Sequence, residues 1–343
     1  MNTHDADVQD LIIVGAGPVG LAAAIAARRR GLSHVVLEKG ALVNSLVHYP
    51  AAMVFFTTPE LMEIGGLPFV SPNDKPSRLE ALRYYRRVTE TYALDVRFDE
   101  PVTSLTKDPD GTFVVTSVPA HTAPVVRKAR SVILATGAYD IPNPLGVPGE
   151  DLPHVSHFFN EPHVSFRRDV VVVGGKNSAA EAALELYRAG ARVTLVHHAP
   201  ELSESIKYWV KPDIENRIKD GTIRAHFSSR VTAITPALVT VQTPAGELHV
   251  PADHVYLMTG YRAETTLLRS VGAAIDEPIH APVHDPATFE TTVPNLFVVG
   301  ACVAGKQSGM IFIENGRFHG EVAVKTIADR LRVTRGVEDL KGL

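Results

Sequence analysis

Two stretches of the chain share one pattern, a short apolar run that leads directly into a glycine-rich turn and then into an alanine-rich run. In the first stretch, the apolar residues 11–14 precede GAGPVG at 15–20 and LAAAIAARRR at 21–30. A second apolar run at 35–37 ends on Glu38. This order predicts a strand, a tight turn, a helix and a parallel strand, which together make a βαβ unit. The pattern therefore restricts the chain to an α/β fold.

Each glycine of the first turn has a physical role in binding a dinucleotide. Gly15 permits the tight turn, Gly17 lets the backbone approach a pyrophosphate, and Gly20 lets the helix pack closely on the strand. The helix N-terminus offers N–H groups and the positive end of its dipole to phosphates. Glu38 is placed to accept hydrogen bonds from a ribose diol. The sequence predicts a dinucleotide site here, with a turn that binds nothing as the alternative.

The pattern recurs at 170–196, where VVVV leads into GGKNSA, an alanine-rich run and a second valine-rich segment. Lys176 and Ala179 stand where the first turn has glycines. No acid follows the second strand, and His197 and His198 stand there instead. An acid at this point would repel a 2′-phosphate. The second site is therefore predicted to favour NADPH over NADH, although no arginine stands beside the two histidines.

Composition and charge exclude several other classes of protein. Of 343 residues, 45% are apolar, and the formal net charge is −4, so no strongly cationic surface for nucleic acid or an anionic membrane is expected. The single cysteine, Cys302, cannot form an internal disulfide. The first ten residues do not resemble a signal peptide, and no apolar run approaches the roughly 18 residues of a membrane helix. A cytoplasmic protein is expected.

Three later segments each end an apolar run on small residues, SVILATG at 131–137, VYLMTG at 255–260 and PNLFVVG at 294–300. Each is predicted to be a buried strand followed by a turn. A helix is predicted over 311–330. Two dinucleotide folds in one chain indicate two nucleotides, usually a flavin and a nicotinamide.

This arrangement resembles the two-domain flavoprotein reductases of the low-molecular-weight thioredoxin-reductase type, over essentially the whole chain. The resemblance implies two Rossmann-like three-layer α/β domains, one for FAD and one for NADPH. The FAD-binding domain is expected at 1–148 and 281–343, interrupted by an NADPH-binding domain at 149–280. The Pro/Gly-rich stretch at 141–149 is interpreted as the linker, and a moving hinge there is a hypothesis.

The chain departs from that family at two places. The ribityl-binding turn of the family is Gly-Asp, whereas this chain has Gly300 and Ala301. HVSHFFNEPH at 154–163 stands where the redox cysteine pair would lie. Reduction of thioredoxin through a disulfide of the chain's own is therefore excluded by the cysteine count.

A closer resemblance is to the bacillithiol-disulfide reductase branch. It rests on GGKNSA at 174–179, SHFFNEPH at 156–163, IFIENGRFHG at 311–320 and FFTTPELMEIG at 55–65. The resemblance implies an NADPH-dependent FAD enzyme that reduces the disulfide of a low-molecular-weight thiol, with a thiol protein such as a bacilliredoxin as a possible partner, and a homo-oligomer. Members of this branch often carry a cysteine in the first glycine-rich loop, where this chain has Val19, so that exchange mechanism does not carry over.

Two other functions stay open at this level. A ferredoxin–NADP reductase also has two nucleotide domains and no cysteine pair, although it usually carries an additional C-terminal segment that covers the flavin. A flavin-binding sensor without turnover is the third possibility, and the intact second nucleotide turn argues against it.

The candidate catalytic residues are Cys302, His48 and Lys306. Cys302 is a possible nucleophile or a buried core residue, His48 a possible proton donor or loop residue, and Lys306 a possible partner of a reduced flavin anion. The expected cofactor-binding residues lie in the two turns and the segments beside them: Gly15, Gly17, Pro18, Val19, Gly20, Glu38, Lys39, Asn44, Ser45, His48, Val102, Ala135, Thr136, Gly137, Gly174, Gly175, Lys176, Asn177, Ser178, Ala179, His197, Gly260, Gly300, Ala301, Lys306 and Ile313.

For two further sets of side chains, the sequence allows either a functional role or a purely structural one. His154, His157 and His163 suggest a metal site only weakly, because no acid or thiol at helical spacing joins them, and a solvated loop is favoured. Arg317 is interpreted either as a partner for a substrate carboxylate or as one half of an ion pair with Glu314 on a helix face.

Overall fold

The computed structural model describes residues 8–341. The helices are α1 (Pro18–Arg29), α2 (Asn44–Val47), α3 (Pro59–Met62), α4 (Arg78–Thr91), α5 (Asn177–Arg188), α6 (Lys211–Lys219), α7 (Thr266–Ser270), α8 (Ile313–Gly316) and α9 (His319–Lys341), with 3₁₀ segments at His163–Ser165 and Gly300–Met310.

The strands are β1 (Val8–Val14), β2 (His34–Leu37), β3 (Val96–Arg97), β4 (Val102–Lys107), β5 (Phe113–Ser117), β6 (Val125–Leu134), β7 (Ile141–Pro142), β8 (Val155–Ser156), β9 (Asp169–Val173), β10 (Arg192–Val196), β11 (Arg224–His226), β12 (Arg230–Ile234), β13 (Leu238–Thr243), β14 (Gly246–Pro251), β15 (His254–Leu257), β16 (Tyr261–Arg262), β17 (Ile275–Asp276), β18 (Ala281–Pro282) and β19 (Leu296–Val298).

The chain divides into two compact units. The first comprises the described residues up to Val47, then Met53–Ile141, and the described residues from Tyr261 onward; the second comprises His48–Ala52 and Pro142–Gly260. Residues 261–280, which the sequence analysis assigned to the interrupting domain, group with the first unit. The physical reason is that α7 packs on β4 and contributes to the first unit's core. The assignment of domains to FAD and NADPH stays a prediction.

The first unit is built on a seven-stranded mixed sheet. Its order is β3-β2-β1-β6-β5-β4, and β19 also pairs with β6. The pairs β1–β2, β1–β6, β2–β3 and β6–β19 are parallel, whereas β4–β5 and β5–β6 are antiparallel. Strand β1 is central, and residues 11–14 are buried on both faces of the sheet. Such double burial explains why the run is continuously apolar rather than alternating.

Helix α1 packs against β1 and β2 and against α9 on one face of this sheet. It begins at Pro18, where the ring of a proline is compatible with the first helical position, and Gly31 follows its end with φ +69°. The predicted strand, turn, helix and strand at 11–38 are confirmed.

The second unit has three layers. A parallel five-stranded sheet, β11-β10-β9-β15-β8, lies between helices and an antiparallel sheet of β12, β13 and β14. Val170 and Val172 pack with the alanines of α5, whereas Val171 and Val173 pack with the valines of the antiparallel sheet. Because successive strand residues point to opposite faces, one run of four valines fills both cores. The predicted α/β fold class is confirmed.

The prediction of one continuous helix over 311–330 is wrong, because the helical segment is interrupted and extends beyond residue 330. The structure has the short α8 and then α9, which continues to Lys341. Between them, the Arg317 side chain donates 2.7 Å hydrogen bonds to the carbonyl oxygens of Glu60 and Glu63. Gly320 then lies so close to α1 that a Cβ on it would be 2.8 Å from Ala23. These two tertiary contacts stabilise the change of direction, and Asn315-Gly316 is the local sequence signal at which α8 ends.

Within 8–341, no helix combines the length and the apolar character that crossing a bilayer requires.

Candidate functional site

The first glycine-rich turn is held by close backbone packing. A Cβ on Gly20 would lie 2.0 Å from the carbonyl oxygen of Gly15, and a Cβ on Gly15 would lie 2.5 Å from that of Ala135. Gly15 also has φ +106°, which favours glycine. At Gly17, by contrast, no atom lies within 4 Å of where a Cβ would be. The turn is therefore crowded on the protein side and open at Gly17, where a phosphate would approach.

Glu38 closes one side of this turn. Its side chain is 4% exposed, its Oε2 accepts the N–H of Ala16 at 2.7 Å, and its Oε1 accepts the N–H of Gly40 at 3.1 Å. Burial raises the pKa of Glu38, and the two backbone N–H donors and Lys39 oppose that rise. These contacts orient the carboxylate while each oxygen keeps a second lone pair for a further donor, such as a ribose hydroxyl.

Other predicted flavin contacts belong to the same unit. The Lys39 ammonium forms a 2.7 Å ion pair with Asp140, a partner that sequence analysis missed. Asn44 and Ser45 form the first turn of α2, and Val102 begins β4. Their contacts with a nucleotide stay predictions.

The loop after β19 approaches the start of α1. A Cβ on Gly300 would lie 3.2–3.4 Å from the side chain of Val19, and Gly300 has φ +80°. Ala301 follows in the same loop, and Ile313 begins α8. The structure therefore brings together two segments that are more than 250 residues apart and that were both predicted to contact flavin, namely 15–20 and Gly300.

Cys302 lies in the core of the first unit and is 1% exposed. Its Sγ contacts the carbonyl oxygens of Val299 at 3.2 Å and Leu134 at 3.5 Å. Burial raises the pKa of Cys302 to about 11, although hydrogen bonds from Thr136 and Gly137 oppose the rise. A thiol in this environment stays protonated near neutral pH, so these contacts fit a core side chain better than a nucleophile.

The other two catalytic candidates are exposed. Lys306 donates its backbone N–H to Ile279 at 2.8 Å, and its Nζ lies 3.4 Å from the carbonyl oxygen of Pro278. His48 follows α2 and groups with the second unit. Their catalytic roles stay hypotheses.

The second glycine-rich turn is crowded in a different way. A Cβ on Gly174, which has φ +149°, would lie 2.5 Å from the carbonyl oxygen of Met258. A Cβ on Gly175 would lie 2.3 Å from the imidazole ring of His197. His197 is 7% exposed, and burial lowers its pKa. The ring at the end of β10 therefore occupies the space over the turn that a side chain at Gly175 would need.

The remaining residues of the second turn begin α5. Lys176 is its N-cap residue, and Asn177 and Ser178 are its first helical residues. The Asn177 side chain has a structural role, because its amide forms hydrogen bonds with the backbone of Ser205 and Lys207 in the loop that precedes α6. Gly260 accepts the N–H of Asn143 at 2.9 Å in the turn after β15. Sequence analysis predicted these residues as part of the site but did not predict that Asn177 holds the loop at 205–207.

Histidines 154, 157 and 163 also lie in the second unit. His157 Nε2 lies 3.2 Å from a carboxylate oxygen of Glu150. Among the described residues, no group of three or more His, Cys, Asp or Glu side chains has an arrangement that could hold a metal ion.

Both turns fit a dinucleotide. In the first unit the fit rests on the open approach at Gly17 and the oriented carboxylate of Glu38. In the second unit it rests on Gly174, where a Cβ would lie 2.5 Å from the carbonyl oxygen of Met258, and on the helix α5 that begins directly after the turn. The N-terminus of such a helix offers N–H groups to phosphates.

The comparison with family models identifies the class of protein. A model described as pyridine nucleotide-disulphide oxidoreductase matches residues 12–300, and the chain belongs to this family. Enzymes of this family use FAD and NADPH, which confirms the predicted enzyme class and cofactors.

Among individual proteins, the chain is 44% identical to bacilliredoxin reductase Bdr of Bacillus subtilis (strain 168), over 93% of this chain and 97% of that protein. It matches the solved structure of bacillithiol disulfide reductase Bdr (YpdA) from Bacillus cereus with a TM-score of 0.92 and 42% identity, covering 94% of this chain and 99% of the other. A ferredoxin–NADP reductase of Ignicoccus hospitalis is 25% identical over 74% of this chain and 77% of its own length. The predicted resemblance to the bacillithiol-disulfide reductase branch is confirmed.

Proposed function

We propose that the protein reduces the disulfide of a low-molecular-weight thiol, bacillithiol disulfide or a close analogue, at the expense of NADPH. One NADPH, one proton and one disulfide yield NADP⁺ and two thiols, so the hydride supplies both electrons. The observation that supports this substrate most strongly is the likeness to the two Bdr proteins over nearly their full length.

The two turns divide the work in this proposal. The first turn, with Gly17 and Glu38, holds FAD, and the second turn, with Gly175 and His197, holds NADPH. FAD, when bound, accepts two electrons from the nicotinamide and passes them to the disulfide. The chain's own residues bind and orient the two nucleotides. The site residues predicted from sequence are part of this proposal.

The chain itself supplies no pair of thiols for the last step. Its single cysteine is Cys302, which is buried and has a pKa raised to about 11. Val19 occupies the loop position at which related sequences often carry a cysteine. We therefore propose that the disulfide is reduced at the flavin, or that a bacilliredoxin-like partner brings the thiols. The name of the Bacillus subtilis relative supports the second route.

The experiment is anaerobic stopped-flow spectroscopy of the purified flavoprotein. Addition of NADPH should bleach the flavin absorbance. Bacillithiol disulfide alone should restore the absorbance if reduction occurs at the flavin, and only a mixture with oxidised bacilliredoxin should do so if a partner is required. The proposal would be contradicted if neither bacillithiol disulfide nor bacilliredoxin reoxidised the flavin while ferredoxin or oxygen did. That result would favour an electron transferase.

We also propose a homo-oligomer that acts in the reducing cytoplasm. One buried cysteine is compatible with such a compartment. Light scattering on the purified protein would test the oligomeric state, and a monomeric mass at micromolar concentration would contradict it.

A further inference from the structure

A loop in the second unit is bonded directly to the nucleotide-binding turn. The backbone N–H of Ser203 donates to the carbonyl oxygen of Gly175 at 2.9 Å. The Asn177 side chain accepts the N–H of Lys207 at 3.0 Å and donates to the carbonyl oxygen of Ser205 at 3.0 Å. Three hydrogen bonds therefore hold residues 203–207 in place against the turn.

Three apolar side chains attach the same loop to the core of the second unit. Leu202, Ile206 and Val210 are 4%, 4% and 8% exposed and belong to the core that packs against α5. Because these anchors are spaced four residues apart, Ser203 and Ser205 are left at the accessible side of the loop. The loop is thus a rigid, polar surface rather than a free connection.

The two serines form a hydroxyl pair. Their Oγ atoms lie 2.8 Å apart, and the N–H of Ser205 donates to the Oγ of Ser203 at 3.2 Å. With that N–H donated to Ser203, both hydroxyl hydrogens are able to turn toward an anion. Binding an anion would replace the neutral hydrogen bond between the two hydroxyls by two hydrogen bonds to a charged acceptor, each about twice as strong as a neutral one.

The charges around this pair are mixed. Lys176 precedes Asn177 in the turn, and Lys207 lies within the bonded loop. Of the acidic side chains of the loop, Glu204 is paired with Lys211 at 2.5 Å, and Glu201 is exposed. No acidic residue stands directly after β10, where a carboxylate would read a 2′-hydroxyl and repel a 2′-phosphate.

The His197 ring borders the same turn. Its side chain is 7% exposed, and its Cε1, Nε2 and Cδ2 atoms are the ones that a Cβ on Gly175 would meet. The carbonyl oxygen of the same glycine accepts the backbone bond from Ser203. The imidazole ring and the serine loop therefore both contact the turn at Gly175.

We propose that Ser203 and Ser205 select NADPH by donating hydrogen bonds to its 2′-phosphate, since residues 197–207, which follow β10, contain no arginine. This inference rests on the proposed function, which assigns NADPH to the second turn. Hydroxyl groups then perform the discrimination for which an arginine is often used.

The test is equilibrium binding to the FAD-loaded protein. NADP⁺ and NAD⁺ are titrated, since neither reduces the flavin, and binding is followed by calorimetry and by the fluorescence of Trp209, the single tryptophan of the sequence. The variants are Ser203→Ala, Ser205→Ala and the double variant. The control is Thr232→Ala, which removes an exposed hydroxyl on β12 of the same unit.

We expect the Kd for NADP⁺ to rise roughly tenfold for each single variant and further for the double variant, because each loses a hydrogen bond to a charged group. The Kd for NAD⁺ should stay within about twofold, and the control should change neither. Ser203→Thr and Ser205→Thr, which keep the hydroxyl, should retain the preference. Flavin content and melting temperature report whether each variant is folded.

Equal weakening of both nucleotides would mean that the serines only position the loop, and would overturn the inference, as would an unchanged Kd for NADP⁺. If the alanine variants fold poorly, loss of the preference in the threonine variants would also overturn it. These results are distinct from failure of the proposed function. If the unaltered protein binds NADP⁺ no more tightly than NAD⁺, the assignment of NADPH to this turn is wrong.

Discussion

The two glycine-rich turns have the same backbone plan but differ in what they leave room for. In the first turn, a Cβ on Gly20 would lie 2.0 Å from a carbonyl oxygen, so helix α1 sits as close to β1 as the backbone allows. In the second turn the equivalent residue is Ala179, whose methyl group is accommodated. After the second strand, the first unit has the buried acid Glu38, and the second has the buried imidazole of His197.

This difference shows that the packing of the helix and the side chain after the second strand vary independently in the two units. The closeness of the helix is decided by the third small residue of the turn. The polar groups beside the turn are set by the residue after the second strand and, in the second unit, by a loop about 30 residues away along the chain. Each of these can be altered separately.

The largest effect is expected where packing is tightest. Gly20→Ala should prevent the native turn from forming and should give protein without bound flavin, because a backbone oxygen cannot move aside for the new methyl group. The matched change in the second unit, Ala179→Gly, should cost only about 1 kcal/mol of helix stability. Flavin absorbance and thermal unfolding measure both. Normal flavin content in Gly20→Ala would show that the turns do not differ in this way.

Glu38→Gln should weaken FAD binding roughly tenfold or more. The amide keeps one acceptor oxygen, while its NH₂ group faces a backbone N–H that now donates to a carboxylate oxygen. Affinity is measured by titrating the apoprotein with FAD. Glu277→Gln, an exposed glutamate of the same unit, serves as the control. An unchanged affinity for FAD would remove Glu38 from the site.

Val19→Cys tests the departure from the related sequences. The smaller side chain fits beside Gly300, and a thiol at this place should raise the rate of disulfide reduction several-fold while flavin reduction by NADPH is unchanged. Val19→Ala controls for the loss of volume. If stopped-flow traces show no faster reoxidation in the cysteine variant, exchange at this loop is not a route available to the chain.

The buried thiol of the first unit predicts a pH-dependent stability. The pKa of Cys302 is raised from 9.0 to about 11 in the folded state, so the native protein keeps a proton that the unfolded chain releases. Stability should therefore fall as pH rises from about 9 toward 11, by roughly 1 kcal/mol per pH unit from this thiol. The fall should be smaller by that amount in Cys302→Ala, in which buried tyrosines with raised pKa values, such as Tyr84 and Tyr85, still contribute. Denaturant unfolding at several pH values measures it. Equal slopes in the two proteins would contradict the buried thiol.

An effect of comparable size is expected from the second unit, where burial and the nearby Glu185 raise the pKa of Glu181 from 4.5 to about 7. The folded state keeps a proton that the unfolded chain releases above about pH 4.5, so this contribution to stability is complete below that pH and is lost as pH rises to about 7. Glu181→Gln should thus be more stable than the unaltered protein at pH 8, by about 3 kcal/mol, and similar to it at pH 4. A difference of the same size at both pH values would argue against titration of this group.

Much of the fold is predictable because its signals are local. A glycine turn between a valine-rich strand and an alanine-rich helix needs only short-range sterics to be recognised, and it occurs twice. The break between α8 and α9 is only partly local, since Asn315-Gly316 marks the end of α8 but not the direction in which the chain continues. It depends on Arg317 bonding the carbonyl oxygens of Glu60 and Glu63, which are more than 250 residues distant. The pairing of Lys39 with Asp140 was missed for the same reason.

The order of residues by itself determined the α/β class, the two dinucleotide turns, the absence of a cysteine pair and the acid that distinguishes the first turn from the second. These depend on residue type and spacing within short segments. Only the tertiary structure decided that Cys302 is a core thiol, that the His197 ring covers Gly175, and that Ser203 and Ser205 are bonded to the second turn. Burial and long-range hydrogen bonding depend on which segments the folded chain brings together, and the spacing of residues along the sequence does not carry that information.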